Sequence, residues 1–140
     1  MTYLDTSVVI ALLTREAHSE RAETWLARHD QTPLYISAWV ITEVSSALSI
    51  KVRSGILTPA LRATILAGWH RSSAENFVSL PITSGHFETA ATFADRHESG
   101  LGAGDALHLA IASDAGCAVA TFDRVIAAAA LSVGVPLAPL

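Results

Sequence analysis

The sequence predicts an α/β fold, a three-layer α/β/α sandwich built around a mainly parallel central sheet. Short apolar segments typical of strands alternate with longer segments whose apolar residues recur at helical spacing. Parallel neighbouring strands need crossover connections, and the intervening helices supply them. Hydrophobic residues make up 51% of the 140 residues and charged residues 16%, a composition that forms a core. We therefore expect one globular domain over residues 1–140.

Apolar runs rich in β-branched or aromatic residues mark the strands. The first strand ends near Asp5, and others are predicted at 34–36, 77–82 and 117–121, with a last short strand at 135–137. Pro81 favours an edge strand or a strand end for 77–82, because proline cannot donate a ladder hydrogen bond. The predicted sheet therefore has four strands and a candidate fifth.

Capping residues and glycines delimit the helices. Thr6 or Ser7 is expected to cap the first helix, Ser37 a helix that ends at Gly55, and Thr58, followed by proline, another that runs to about residue 70. Further helices are predicted at 19–29, from 84 toward 100, at 105–112 before Gly116, and at 123–131. The almost wholly apolar helix 105–112 is expected to be central.

The formal net charge of −4, from 9 basic and 13 acidic residues, argues against a protein that binds nucleic acid through a general basic surface. When four candidate site acids are set aside, nine acidic residues remain and balance the nine basic residues. If RNA is the substrate, a divalent cation must lie between these acids and the phosphate. The lone Cys117 and the short apolar run 8–13 predict a cytoplasmic protein without a membrane span.

Acidic residues follow predicted strands at the positions where α/β proteins bind ligands. Asp5 and Asp123 end strands, Asp105 enters a helix after a glycine-bearing turn, and Glu43 faces partly inward on its helix. Half-buried carboxylates are costly unless they are paired or hold a metal. Oxygen ligands without nearby cysteine favour Mg²⁺, with Mn²⁺ as a substitute.

Each acid taken alone also has a purely structural interpretation. Asp5, Asp105 and Asp123 could be helix N-caps, and Glu43 could pair with an arginine. A haloacid dehalogenase-type phosphatase would need a second aspartate where Ser7 stands, and a receiver domain would need a lysine at a late strand end, whereas Lys51 is in mid-chain. Four acids on one sheet edge are improbable as independent caps, so we favour a common site.

Four segments together resemble a PIN-domain ribonuclease, and more narrowly the VapC toxins of bacterial toxin–antitoxin pairs. They are 3–13 (YLDTSVVIALL), the helix start 37–43, 105–110 (DALHLA) and 120–124 (ATFDR). The match covers nearly the whole chain in order. Phe122 stands where many relatives have asparagine, a departure that bears on the hydrogen bonding of that turn.

The resemblance implies an Mg²⁺-dependent endoribonuclease that acts as a toxin, forms a homodimer and binds a small cognate antitoxin. It implies an acidic metal site with two supporting hydroxyl residues: Asp5, Glu43, Asp105 and Asp123, with Thr6 and Thr121. The number of metal ions and the carboxylate that orients the attacking water stay open. The alternative function is a catalytically inactive PIN-like module that binds RNA or protein.

Two further residues allow more than one interpretation. His108 lies one turn after Asp105; a lone histidine on an apolar helix is more often a satisfied core residue than a metal ligand. Trp39, close to the expected mouth of the site, could stack on a base, lie in a dimer interface or simply be buried. Arg124 could contact RNA or pair with a neighbouring acid.

Overall fold

The computed structural model describes residues 1–29 and 32–140 and contains a four-stranded parallel sheet. The strands are β1 (Thr2–Leu4), β2 (Leu34–Ser37), β3 (Phe77–Leu80) and β4 (Ala118–Ala120), and they lie in the order β3-β2-β1-β4. The predicted α/β class and parallel sheet are confirmed. The candidate fifth strand is reduced to one parallel bridge between Val119 and Leu137.

The helices found in the described residues occupy every segment predicted as helical. They are α1 (Thr6–Leu13), α2 (Ser19–Ala27), α3 (Ala38–Arg53), α4 (Pro59–Asn76), α5 (Ser84–Ala94), α6 (Ala103–Asp114) and α7 (Arg124–Val133), with a short 3₁₀ helix at His97–Ser99. They form two packed groups: α1 contacts α2 and α3, and α3 contacts α4, whereas α6 contacts α5, α7 and β4. None of these helices is long and apolar enough to cross a membrane.

The capping hydrogen bonds differ from the prediction at two helices. Neither Thr6 nor Ser7 caps α1; the cap is Asp5, whose carboxylate accepts the backbone N–H groups of Ser7 and Val8. Ser37 occupies the cap position of α3, but its hydroxyl is hydrogen-bonded to the Tyr3 hydroxyl instead of the helix backbone. Thr58 caps α4 as predicted, although α4 continues to Asn76 because no glycine or proline interrupts the segment beyond residue 70.

The core surrounds α6, whose residues from Ala106 to Ala112 are all buried. Gly116 adopts a positive φ of 62° in the turn that follows α6, a conformation that glycine adopts without strain. Trp25 and Trp69 are buried in this core. The edge strand β3 ends before Pro81, which agrees with the expectation that proline lies at a strand end.

The strand order reverses direction between β1 and β4. From β1 the chain proceeds outward through β2 to β3 on one side, and it then returns to place β4 on the other side of β1. In open α/β sheets, ligands bind beyond the carboxyl ends of the strands at such a switch point. The fold therefore directs attention to the residues that follow Leu4 and Ala120.

Candidate active site

The loops after β1 and β4 meet at the switch point and carry two of the candidate acids. Asp5 follows β1, and its backbone N–H donates to the carbonyl oxygen of Ala120 (3.1 Å), the last residue of β4. Asp123 begins α7 as its N-cap, with the side chain accepting from the backbone of Val125 (2.7 Å) and Ile126 (3.1 Å). Both acids therefore do act as caps, the structural role that the sequence also allowed for them.

A hydroxyl links these two loops. Asp5 is only 2% exposed, and its Oδ2 accepts from Thr121 Oγ1 (2.9 Å), which in turn accepts the backbone N–H of Asp123 (2.9 Å). Asp5 Oδ1 accepts from Ser7 Oγ (2.6 Å), and Ser7 Oγ accepts the backbone N–H of Phe122 (2.8 Å). Thr121 thus holds the carboxylate of Asp5, and its role in a site stays a prediction. Ser7 has the same linking role, which sequence reasoning missed.

Glu43 belongs to a second hydrogen-bonded group, between α1, α3 and α6. Its Oε2 accepts from Thr6 Oγ1 (2.5 Å) and is hydrogen-bonded to Nε2 of His108 (2.7 Å). His108 is buried, and its Nδ1 is hydrogen-bonded to the hydroxyl of Tyr3 (2.8 Å). Thr6 therefore supports Glu43, and His108 contacts the candidate site from within the core.

Asp105 lies in the first turn of α6, which passes close to α3. A Cβ placed on the preceding Gly104 would lie 3.0 Å from Oε1 of Glu43 and 3.3 Å from the ring of Trp39. The absence of a side chain at Gly104 allows this close approach. Trp39 is half-buried against the start of α6, which favours packing among its three interpretations and places it beside Glu43.

The charges of the candidate acids influence one another. Burial raises the pKa of Asp105, and the negative charges of Asp123 and Glu43 raise it further. Burial also raises the pKa of Asp5, against the hydrogen bonds of Ser7 and Thr121. Burial acts to raise the pKa of Glu43 too, but the hydrogen bonds from His108 and Thr6 outweigh it and hold this pKa below its ordinary value. Negative charge is therefore costly at Asp5 and Asp105.

His108 offsets part of that cost, but no Lys or Arg of the described residues does. Within residues 1–29 and 32–140, no Lys or Arg forms an ion pair with any of the four acids, and Glu43 has only His108 as a partner. The arginine pairing considered for Glu43, and the acid pairing considered for Arg124, are absent from this part of the chain. A bound cation would relieve the repulsion.

The donor set fits a hard divalent cation, since all the candidate ligands are carboxylate oxygens. Asp123 uses Oδ1 for capping, and its Oδ2 accepts no hydrogen bond from the described residues. In the same part of the chain, no three His, Cys, Asp or Glu side chains lie close enough together to hold an ion as they stand. Mg²⁺ is typically held by one or two carboxylates and retains several waters, so a set more open than a three-ligand cluster still suits it.

A sequence profile described as PIN domain matches residues 2–131. The chain belongs to the PIN-domain family. The match spans all four strands and most of α7, so the family prediction made from the sequence is confirmed. A search of curated proteins gave no significant match.

Solved structures with the same fold include proteins from three bacteria. FitAcB from Neisseria gonorrhoeae has a TM-score of 0.73 at 21% identity, covering 99% of this chain and 97% of that one. VapC20 of Mycobacterium tuberculosis, titled a sarcin–ricin loop cleaving toxin, has a TM-score of 0.73 at 21% identity, with coverage of 92% and 95%. VapBC2 from Rickettsia felis, bound to a promoter DNA fragment, has a TM-score of 0.66 at 13% identity, with 88% of each chain covered. At these low sequence identities, the similarity shows a shared fold.

Proposed function

We propose that this PIN domain is a metal-dependent endoribonuclease and the toxin of a toxin–antitoxin pair. One observation supports the proposal: Asp5 and Asp123 follow the two strands at the switch point, the charges of Asp123 and Glu43 act on Asp105, and no Lys or Arg of the described residues pairs with any of the four. Two of these acids are helix N-caps, but neither Glu43 nor Asp105 is one. A site that binds a cation accounts for all four acids.

The acids Asp5, Glu43, Asp105 and Asp123 would hold Mg²⁺, or Mn²⁺ in its place. When bound, such an ion would polarise a phosphodiester and lower the pKa of a water. Thr6 and Thr121 fix the carboxylates of Glu43 and Asp5 through the hydroxyl hydrogen bonds described above. The protein's part in the reaction is therefore to orient the oxygen ligands.

The proposed substrate is RNA, cut in single-stranded or loop regions whose bases are accessible. VapC20, which shares the fold, is titled a toxin that cleaves the sarcin–ricin loop. Beside Asp123, the ring of Phe122 stacks on His18 at 4.5 Å, and Arg21 lies 5.7 Å from its centroid. With the exposed Arg124, these side chains offer positive charge and aromatic surface to a nucleic acid next to the acids.

The proposed partners are a small cognate antitoxin and a second copy of the chain. Structures with the same fold include FitAB and VapBC2 complexes bound to DNA fragments, which supports an antitoxin partner. We also propose a cytoplasmic location, which suits the buried, unpaired thiol of Cys117.

Cleavage of a defined RNA tests this function. The purified protein is incubated with a hairpin RNA and with DNA of the same sequence, in Mg²⁺, in Mn²⁺ and in EDTA. We expect cleavage of the RNA loop in either metal and none in EDTA. Undiminished cleavage after exhaustive chelation would exclude the metal mechanism, and cleavage of the DNA alone would exclude the ribonuclease assignment.

The absence of a three-ligand cluster in the described residues favours a second candidate function, an inactive PIN-like module that binds RNA or protein. The same assay separates the two functions. Such a module would retard the RNA in a gel without cutting it, in every metal tested. The four acids without a Lys or Arg partner weigh against this candidate, because their negative charge opposes phosphate binding unless a cation is present.

A further inference from the structure

A chain of buried hydrogen bonds runs from the sheet to Glu43. Ser37 Oγ is 2.8 Å from the hydroxyl of Tyr3, the Tyr3 hydroxyl is 2.8 Å from Nδ1 of His108, and Nε2 of His108 is 2.7 Å from Oε2 of Glu43. Tyr3 and Ser37 are fully buried, and His108 is 1% exposed. The residues come from β1, β2, α6 and α3, so the chain connects four elements at the site.

The partners dictate where the protons lie. A glutamate carboxylate is ionised at neutral pH and has no proton to donate, so Oε2 of Glu43 accepts from both Thr6 and His108. Nε2 of His108 must therefore carry a proton. In a neutral imidazole Nδ1 then accepts from the Tyr3 hydroxyl, whose oxygen can accept from Ser37. Every polar group in this series of hydrogen bonds has a partner. Each residue donates to the next, from Ser37 through Tyr3 and His108 to Glu43.

We propose that His108 is a positioning residue that fixes the Glu43 carboxylate for its role in the acid site. Together with Thr6, His108 occupies Oε2 of Glu43, so that Oε1 is the oxygen turned toward Gly104 and the start of α6. A buried imidazole held by a tyrosine cannot rotate freely, and neither can the carboxylate bonded to it. The expected effect on RNA cleavage rests on the proposed nuclease function, whereas the hydrogen bonds of His108 do not depend on it.

A second buried histidine provides the contrast. His86 is 6% exposed; its Nδ1 accepts the backbone N–H of Thr83 (3.1 Å), and its Nε2 contacts Asp114 Oδ2 (3.1 Å). The side chain of Asp114 is 77% exposed, so this imidazole joins α5 to α6 at the surface. His86 is a structural histidine bonded to a carboxylate outside the site, which makes it the matched control for His108.

Two amide substitutions separate the bonds of His108. The amide nitrogen of glutamine reaches the place of Nε2, whereas that of asparagine reaches only the place of Nδ1. H108Q should keep a donor to Glu43, and H108N should keep only the partner for Tyr3. We expect H108N to lose about 10- to 100-fold in kcat for RNA cleavage, the range typical of partners that orient metal ligands, with little change in KM. H108Q should keep most of the rate, and H86Q should keep all of it.

The tautomer gives a readout that does not depend on activity. In wild-type protein labelled with ¹⁵N-histidine, long-range ¹H–¹⁵N correlation at neutral pH should show the His108 proton on Nε2. A proton on Nδ1 alone would overturn the proposal, because Glu43 would then have no donor from His108. Equal cleavage rates for H108N and H108Q in an active protein would overturn it as well. If wild type cuts no RNA, the proposed function fails, and the tautomer still decides whether His108 holds Glu43.

Discussion

The acids of the strand-end loops differ from the acids of α3 and α6 in what they contribute to the fold. Asp5 and Asp123 cap α1 and α7, and each accepts hydrogen bonds from two backbone N–H groups. Glu43 and Asp105 lie within helices, and neither is the N-cap of its helix. The first pair therefore combines helix capping with candidate chemistry, whereas the second pair caps no helix. Loss of function at the second pair is the more informative result.

The largest expected effect is on activity at Asp105. D105N keeps the shape of the side chain and removes one charge, so we expect RNA cleavage to fall by about 100-fold or more, as when a group that stabilises the transition state is removed. The measurement is kcat/KM on the hairpin RNA in Mg²⁺. D95N, which removes an exposed acid at the end of α5, is the control and should keep the wild-type rate. A D105N enzyme as fast as D95N would remove Asp105 from the site.

The next effect concerns stability and separates the two pairs directly. D5A deletes the cap of α1 and the acceptor of Thr121, so the free energy of unfolding should fall by about 2 kcal/mol. D105A deletes a charge that burial and two acidic neighbours disfavour, so its metal-free stability should not fall. Urea denaturation in EDTA measures both. If D105A loses as much stability as D5A, the distinction between capping and non-capping acids is wrong.

A smaller effect is expected where α6 approaches α3. Alanine normally stabilises a helix relative to glycine by about 1 kcal/mol, and G68A in α4 should show that gain because nothing lies within 4 Å of its Cβ. G104A should not, because its Cβ would press on Glu43 and Trp39. We expect G104A to cut RNA a few times more slowly than wild type and G68A to cut at the wild-type rate. Equal gains in thermal midpoint with unchanged cleavage would show that the contact at Gly104 has no consequence.

Local patterns in the sequence were sufficient to predict the order of strands and helices. Periodicity, capping residues and proline depend on near neighbours, so the strand ends at Asp5 and Asp123 could be read from the chain. The geometry of a parallel sheet also predicted that Asp5 lies near the loop after β4. Asp5 and its partner Thr121 in that loop are 116 residues apart in the sequence. The roles of the four acids stay predictions.

Pairings over long sequence distances were not predictable. Ser37 has the sequence features of a cap, but its hydroxyl bonds Tyr3, because the two residues are brought together by the pairing of β1 with β2. His108 contacts Glu43 across 65 residues. The sequence allowed two interpretations of His108, a core residue or a metal ligand, and neither included a hydrogen bond to that acid. Ser7 was considered as a cap, and its link to Phe122 depends on the position of β4. Each missed role depends on tertiary contacts.

The central claim, that the four acids form a divalent metal site, is tested most directly by thermal denaturation of wild type and D105N with and without Mg²⁺. Without metal, D105N should melt no lower than wild type, because it removes a charge that burial and neighbouring acids disfavour. Mg²⁺ at about a hundred times its dissociation constant should stabilise wild type by about 2.7 kcal/mol, and D105N should lose most of that increment. If D105N melts well below wild type without metal and Mg²⁺ raises both midpoints equally, the acids are structural and the claim is wrong.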